Sequence, residues 1–147
     1  MEPPLEFRVT ARRLSAQGSE ADCKAATLVL DTALSGRDDA FNPAELLLAA
    51  LAACIIKGIE RVTPMLRFSF TALEVRVHGV RQDVPPRLES IDYDIVVDTE
   101  EPDARLALLH DNVKKYGTVF NTVAPGTSLH GVLRRRGAGA SPGQGSP

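Results

Sequence analysis

Asn42-Pro43-Ala44-Glu45-Leu46-Leu47-Leu48-Ala49-Ala50-Leu51-Ala52-Ala53-Cys54 is the stretch that decides how the rest of this chain is read. Asn42 suits a helix N-cap, Pro43 suits the first helical position, and Glu45 stands where a capping-box carboxylate reaches back. A helix is expected from Asn42 to about Arg61, with Pro64 ending the region. Positions 46 to 56 are apolar on every side, so the helix should be buried on most faces. One small domain has trouble covering such a helix, and a second copy of the chain is expected to help cover it. The run leads to a lone thiol, Cys54. A thiol among apolar neighbours is inert unless a cation or a helix terminus stabilises its thiolate.

Working outward, Leu5, Phe7, Val9 and Ala11 alternate with Glu6, Arg8, Thr10 and Arg12, the pattern of a half-buried strand. A turn within Leu14–Ser19 and a second strand from Asp22 to Asp31 would complete a hairpin. Ser35 to Asp39 reads as a polar loop. Beyond the helix, Arg67 to Val80 reads as a long strand whose apolar phase changes near Ala72-Leu73, where a bulge is expected. Asp83-Val84-Pro85-Pro86 is a turn, and Ile91, Tyr93, Ile95 and Val97 mark the next strand. Leu106, Leu109, Val113 and Tyr116 share one face of a second helix opening at Glu101-Pro102-Asp103. Lys114 and Lys115 suit its last turn and Gly117 its cap. Thr118 to Val123 reads as a short helical turn and Thr127 to Arg134 as a last strand. The order is β-β-α-β-β-α-β, an α+β fold with strands in hairpin-like pairs. Residues 1–136 are expected to form a single domain, and the Gly/Ser/Pro-rich 137–147 a disordered tail.

The chain has 147 residues and a net charge of −2, enough for one real core and too little charge for a nucleic-acid or anionic-membrane footprint. No apolar run is long enough to span a bilayer. The N-terminus, Met1-Glu2-Pro3-Pro4, lacks the layout of a secretory leader. With two cysteines, a cytoplasmic protein with reduced thiols is expected. His78, His110 and His130 are scattered without metal-ligand spacing, and there is neither a phosphate loop nor a nucleophile elbow. No metal and no cofactor is therefore expected.

The segment from Pro43 to Cys54 resembles the first cysteine helix of the OsmC/Ohr superfamily, the osmotically inducible protein C-like and organic hydroperoxide resistance protein-like proteins. Lys114-Lys115-Tyr116-x-x-Val119-x-Asn121-Thr122 is similar to the superfamily's second cysteine segment, and the likeness covers roughly residues 5 to 135. The resemblance implies an intertwined homodimer, with a long buried central helix wrapped by antiparallel sheets. It implies thiol chemistry on hydroperoxides: a first cysteine attacks the peroxide, a second resolves the sulfenic acid, and an arginine and a glutamate orient and activate the first thiolate.

Carried onto this chain, Cys54 matches the peroxide-attacking cysteine. Gly117, in Gly117-Thr118-Val119, stands where the resolving cysteine belongs, so this is a variant without the second thiol. The family glutamate's place is Ala44, and Glu45 lies one residue on, about 100° further round the helix. Glu45 is thus read both as a site carboxylate and as a capping residue. Arg13 and Arg12 are the candidates for the family arginine. Arg13 is favoured because it shares parity with Leu5, Phe7, Val9 and Ala11, and Arg37 is a further candidate. Cys23 is read either as a half-buried strand residue or as a displaced resolving thiol.

Two functions follow from this variant. One is peroxide defence by thiol-dependent hydroperoxide reduction through Cys54, with an external thiol reductant. The other is a catalytically impaired dimer that holds a small apolar ligand or serves a structural role.

Overall fold

The structure is a computed structural model and describes residues 3–137. The proposed tail therefore lies, apart from Gly137, outside the described residues. The chain divides into two compact units, one ending at Leu47 and the other starting at Leu48.

The first unit is an antiparallel meander of β1 (Thr10–Ser15), β2 (Gly18–Cys23) and β3 (Ala26–Leu30). The alternation at residues 5–9 does not become a strand here. Pairing of β1 with β2 starts at Thr10↔Asp22, and β2 ends one residue later. A strand needs a neighbour for its N–H and C=O groups, and within the unit none reaches further. Leu5, Phe7 and Val9 are consequently 86%, 79% and 66% exposed. The single strand expected over 22–31 is broken by a two-residue turn at Lys24-Ala25, with Lys24 at φ 55°. No glycine or asparagine marks that turn, so its sequence hides it.

Register sorts the meander into two faces. Thr10, Arg12, Glu20, Asp22 and Thr27 share one; Ala11, Arg13, Ser19, Ala21, Leu28 and Leu30 share the other. Arg12 bonds Asp22 at 2.5 Å and Glu20 at 3.2 Å, whereas Arg13 shares its face with Ala11, Ala21 and Leu28 and is exposed. In the loop after β3, the buried Asp31 carboxylate accepts from the backbone N–H groups of Ala33 and Arg37 at 3.1 and 3.0 Å.

The second unit carries most of helix α1 (Pro43–Leu66), then β4 (Ala72–Asp83), β5 (Pro86–Asp98), α2 (Asp103–Tyr116), α3 (Thr118–Val123), a 3-10 turn and β6 (Ser128–Arg135). Helix α1 runs through Pro64 instead of stopping before it. Proline removes one N–H and strands one carbonyl, that of Glu60, which is exposed and can be hydrated. The stop comes at Arg67, which takes φ 52°. Phe68 N–H then bonds the Thr63 carbonyl at 2.9 Å and Arg67 N–H the Pro64 carbonyl at 3.3 Å, the paired bonds of a Schellman motif.

Strands β4 and β5 are antiparallel, with a bulge between Val80 and Arg81 rather than at Ala72-Leu73. The apparent phase change near residue 72 arose because Phe68 and Phe70 precede the strand. Strand β6 pairs with β5 in parallel, so the second sheet is mixed, not antiparallel. Helices α2 and α3 supply the long crossover that a parallel pair requires.

The core of this unit joins Leu51, Ile55, Ile59 and Val62 of α1 to Ile91, Tyr93, Ile95 and Val97 of β5 and Leu106, Leu109 and Val113 of α2. Each fully buried Leu or Ile contributes about 1.5–3 kcal/mol. Gly131 lies opposite Tyr93 in the β5–β6 register, and a Cβ there would collide with the tyrosine ring. Only glycine lets that ring lie across β6. The buried face of α1 is nonetheless one stripe. Ala50 and Ala53 are exposed, as is Ile56, so the all-round burial expected of this helix is not achieved within one chain.

Candidate active site

Cys54 stands at the border of the buried stripe of α1, three residues after Leu51 and one before Ile55, and is half-buried. The glycine at position 117 lies beside its sulfur. A Cβ built on Gly117 would lie 2.9 Å from Cys54 Sγ and 3.1 Å from Phe120 Cβ. Gly117 has φ −79° and ψ 121°, an extended backbone that any residue adopts. Gly117 is the C-cap of α2, as its sequence suggested, and it fills that place without a left-handed turn. What crowds a side chain at 117 is the closeness of Cys54 and Phe120.

The segment holding Gly117 is fixed at both ends. Helix α2 packs on α1, Val113 Cγ1 lying 3.6 Å from where a Gly58 Cβ would stand. After Gly117, Asn121 N–H bonds the Gly117 carbonyl at 2.9 Å, and Asn121 Nδ2 reaches back to the Lys115 carbonyl at 3.3 Å. Asn121 thereby satisfies an orphan carbonyl at the end of α2 and folds α3 over it. The sequence placed Asn121 in the family-like segment without giving it this role.

Phe120 in turn meets Tyr93 edge-on, with ring centroids 6.0 Å apart. The Tyr93 hydroxyl and His110 Nε2 share a hydrogen bond of 2.8 Å. Burial raises the Tyr93 pKa to about 12. Burial, helped by the Lys114 charge, lowers that of His110. The pair is thus held neutral near pH 7. Sequence reading gave neither residue a site role, since the contacts come from three separate elements.

Glu45 lies in the first turn of α1. Its Oε1 accepts from Asn42 N–H at 2.9 Å, while Asn42 Oδ1 accepts from Glu45 N–H at 2.8 Å. This is a reciprocal capping box. Arg37 is engaged by Asp39 through two bonds of 2.6 and 2.8 Å. That guanidinium holds the Asp39 carboxyl below its ordinary range. Arg12 is likewise tied to carboxylates, and its closest partner, Asp22, is held low by the same bond. Arg13 is exposed on β1, on the same face of the meander as Ala21. Cys23, half-buried at the end of β2, and Cys54 are both free thiols.

The fold and this geometry define a class: a mixed α+β protein whose first helix delivers a half-buried thiol onto the turn after its second helix. Residues 36–130 match the family model described as OsmC-like protein, and the chain belongs to that family. Among solved structures it is similar to an OsmC-like protein from Mycoplasma pneumoniae, at 19% identity and a TM-score of 0.81, over 89% of this chain and 97% of that one. It is also similar to an organic hydroperoxide resistance protein OsmC from Legionella pneumophila, at 15% identity and a TM-score of 0.68, over 90% and 98% of the two chains. The organic hydroperoxide resistance protein OhrB of Bacillus subtilis aligns at 19% identity and a TM-score of 0.62, over 88% and 98%. These likenesses establish the OsmC-like fold. No curated protein gives a significant sequence match.

Proposed function

We propose that this protein serves peroxide defence as a thiol-dependent hydroperoxide reductase with Cys54 as its only attacking thiol. The observation that carries the reading is that a Cβ at position 117 would stand 2.9 Å from Cys54 Sγ. The place that the family resemblance assigns to a resolving cysteine lies against Cys54, and here it holds glycine. Cys54 thiolate would attack the terminal oxygen of a hydroperoxide ROOH, giving Cys54 sulfenic acid and, with one proton, the alcohol ROH. An external thiol R′SH would condense with the sulfenic acid to a mixed disulfide, releasing water. A second R′SH would exchange with it, freeing Cys54 and forming R′SSR′. The sum is ROOH + 2 R′SH → ROH + R′SSR′ + H2O.

Organic hydroperoxides suit the apolar surroundings of Cys54, and the two relatives described as organic hydroperoxide resistance proteins point the same way. Arg13 is the proposed cation for the thiolate, supported by its place on the apolar face of the meander. Glu45 is proposed to act at the site only through its second carboxylate oxygen, since the first is used by the cap. Cys23 is the proposed alternative resolving thiol.

The two units are proposed to work as one domain within a homodimer. The unpaired alternation at Leu5, Phe7 and Val9 and the exposed apolar side of α1 support that assembly. Light scattering at micromolar concentration should give twice the chain mass; a stable folded monomer would refute the dimer. Among the described residues no helix is long and apolar enough to cross a membrane, and a cytoplasmic location is proposed.

A second reading, a dimer that binds a small apolar ligand without turnover, is favoured by one set of contacts: Glu45, Arg12 and Arg37 all have partners other than a thiolate. A peroxide-consumption assay with several thiol reductants decides between the two. The enzymatic reading expects turnover of an organic hydroperoxide that Cys54→Ser abolishes. Absence of turnover, with Cys54 unoxidised at peroxide levels that oxidise a free thiol, would refute it.

A further inference from the structure

Two of the three scattered histidines are brought into one line by the second sheet. His78 of β4 lies opposite Asp92 of β5, and Asp92 lies opposite His130 of β6. Residues directly opposite across strands point to the same face, so His78, Asp92 and His130 form a row across three adjacent strands. The row is on the face opposite Ile91, Tyr93 and Ile95, and all three side chains are exposed. His78 Nδ1 is already 3.1 Å from Asp92 Oδ1. His130 Nε2 is turned to Ser128 Oγ at 2.9 Å.

We propose that this row is a surface binding site for a divalent transition-metal ion of the zinc type. Two imidazoles and one carboxylate are the donor set of borderline ions, and a fourth tetrahedral position would be left for water. Strands are about 4.8 Å apart. An ion seated above Asp92 is therefore displaced sideways by one strand spacing from each histidine, within reach of an imidazole Nε2 with a bond of about 2.1 Å. As they stand, no three His, Cys, Asp or Glu side chains among the described residues are placed to hold a metal ion. Closing the site needs the exposed His130 ring to exchange its bond to Ser128 for one to the ion. Two cations of the same face are already matched, Arg134 by Asp94 at 3.0 Å and Arg76 by Glu74 at 2.6 Å, which limits their repulsion of the ion. His110 takes no part, because it lies on α2 with its Nε2 bonded to Tyr93 on the other face of the sheet.

The test is calorimetric titration with zinc chloride of the full chain carrying Cys23→Ser and Cys54→Ser, which removes thiol ligands. Histidine ring proton resonances are followed in parallel. The expected result is one zinc per chain with micromolar affinity, His78 and His130 resonances shifting together and those of His110 staying in place. His78→Ala and His130→Ala should each weaken binding by about tenfold or more, with unchanged circular dichroism because both residues are exposed. Absence of saturable binding, or affinity unchanged by His130→Ala, would overturn the proposal.

Discussion

Substituting Gly117 by cysteine tests the geometry on which the functional reading rests. In a disulfide, an S–S bond of about 2.05 Å puts each Cβ roughly 3 Å from the opposite sulfur. The Cβ position at Gly117 is 2.9 Å from Cys54 Sγ, close to that of a disulfide lacking only its second sulfur. Gly117→Cys should therefore oxidise to a bridge between Cys54 and the introduced thiol, with Phe120 yielding by a few tenths of an ångström. The bridge closes a loop of about 60 residues, for which chain entropy gives up to about 4 kcal/mol of stabilisation in the unstrained limit. The reduced variant and Gly117→Ala should go the other way. A Cβ 2.9 Å from sulfur and 3.1 Å from Phe120 Cβ must push one of them aside, and overpacking of this kind costs about 1–3 kcal/mol. Intact-mass spectrometry under non-reducing conditions reads the bridge, and denaturant unfolding with and without reductant reads its energy. Oxidised Gly117→Cys should be the most stable of the four proteins, the parent intermediate, and reduced Gly117→Cys and Gly117→Ala the least. Two free thiols persisting after mild oxidation, or a Gly117→Ala variant as stable as the parent, would refute the contact and remove the chief support for the functional proposal.

Arg13→Ala should slow alkylation of Cys54 at neutral pH with the fold intact, and Arg12→Ala should do much less because its guanidinium belongs to Asp22 and Glu20; equal rates for both variants would take Arg13 out of the site. Glu45→Gln should keep helix stability, since glutamine also serves in a capping box, whereas Asn42→Ala should cost about 1 kcal/mol in unfolding experiments. If Glu45→Gln also keeps peroxide turnover, the carboxylate has no chemical role beyond the cap. The folded-state pKa of His110 is below its unfolded value, so the unfolded chain takes up the proton first as pH falls. Stability from this residue is present above about pH 6.5 and should decline as pH drops through the acid range; His110→Gln should flatten that decline in denaturation midpoints measured across that range.

What the sequence determined by itself was local. The cap at Asn42 and Glu45 forms as written because its two bonds join residues three apart. Helix α2 was legible because Leu106, Leu109 and Val113 repeat at helical spacing, and all three are buried. Cys54 could be placed at the end of an apolar helical run for the same reason, and the family likeness rests on that same continuous stretch. Where the sequence misled, the missing information was a partner. Alternation at Leu5, Phe7 and Val9 promises a strand, but pairing inside the unit stops at Thr10. Pro64 reads as a stop, but a helix end tolerates one lost N–H, and the left-handed turn at Arg67 sets the true end.

Only the tertiary structure decided the rest. The parallel pairing of β6 follows from where the α2–α3 crossover returns the chain, which no local pattern encodes. The placing of Cys54 against Gly117 and the alignment of His78, Asp92 and His130 are contacts between residues far apart in sequence. Each is fixed by helix packing and strand register, and register is a property of the whole buried face. A shift of one residue in β6 would turn His130 inward and Leu129 outward. Burial of Leu129 and Leu133 against the core opposes that shift, and by doing so it sets where the polar residues between them must stand.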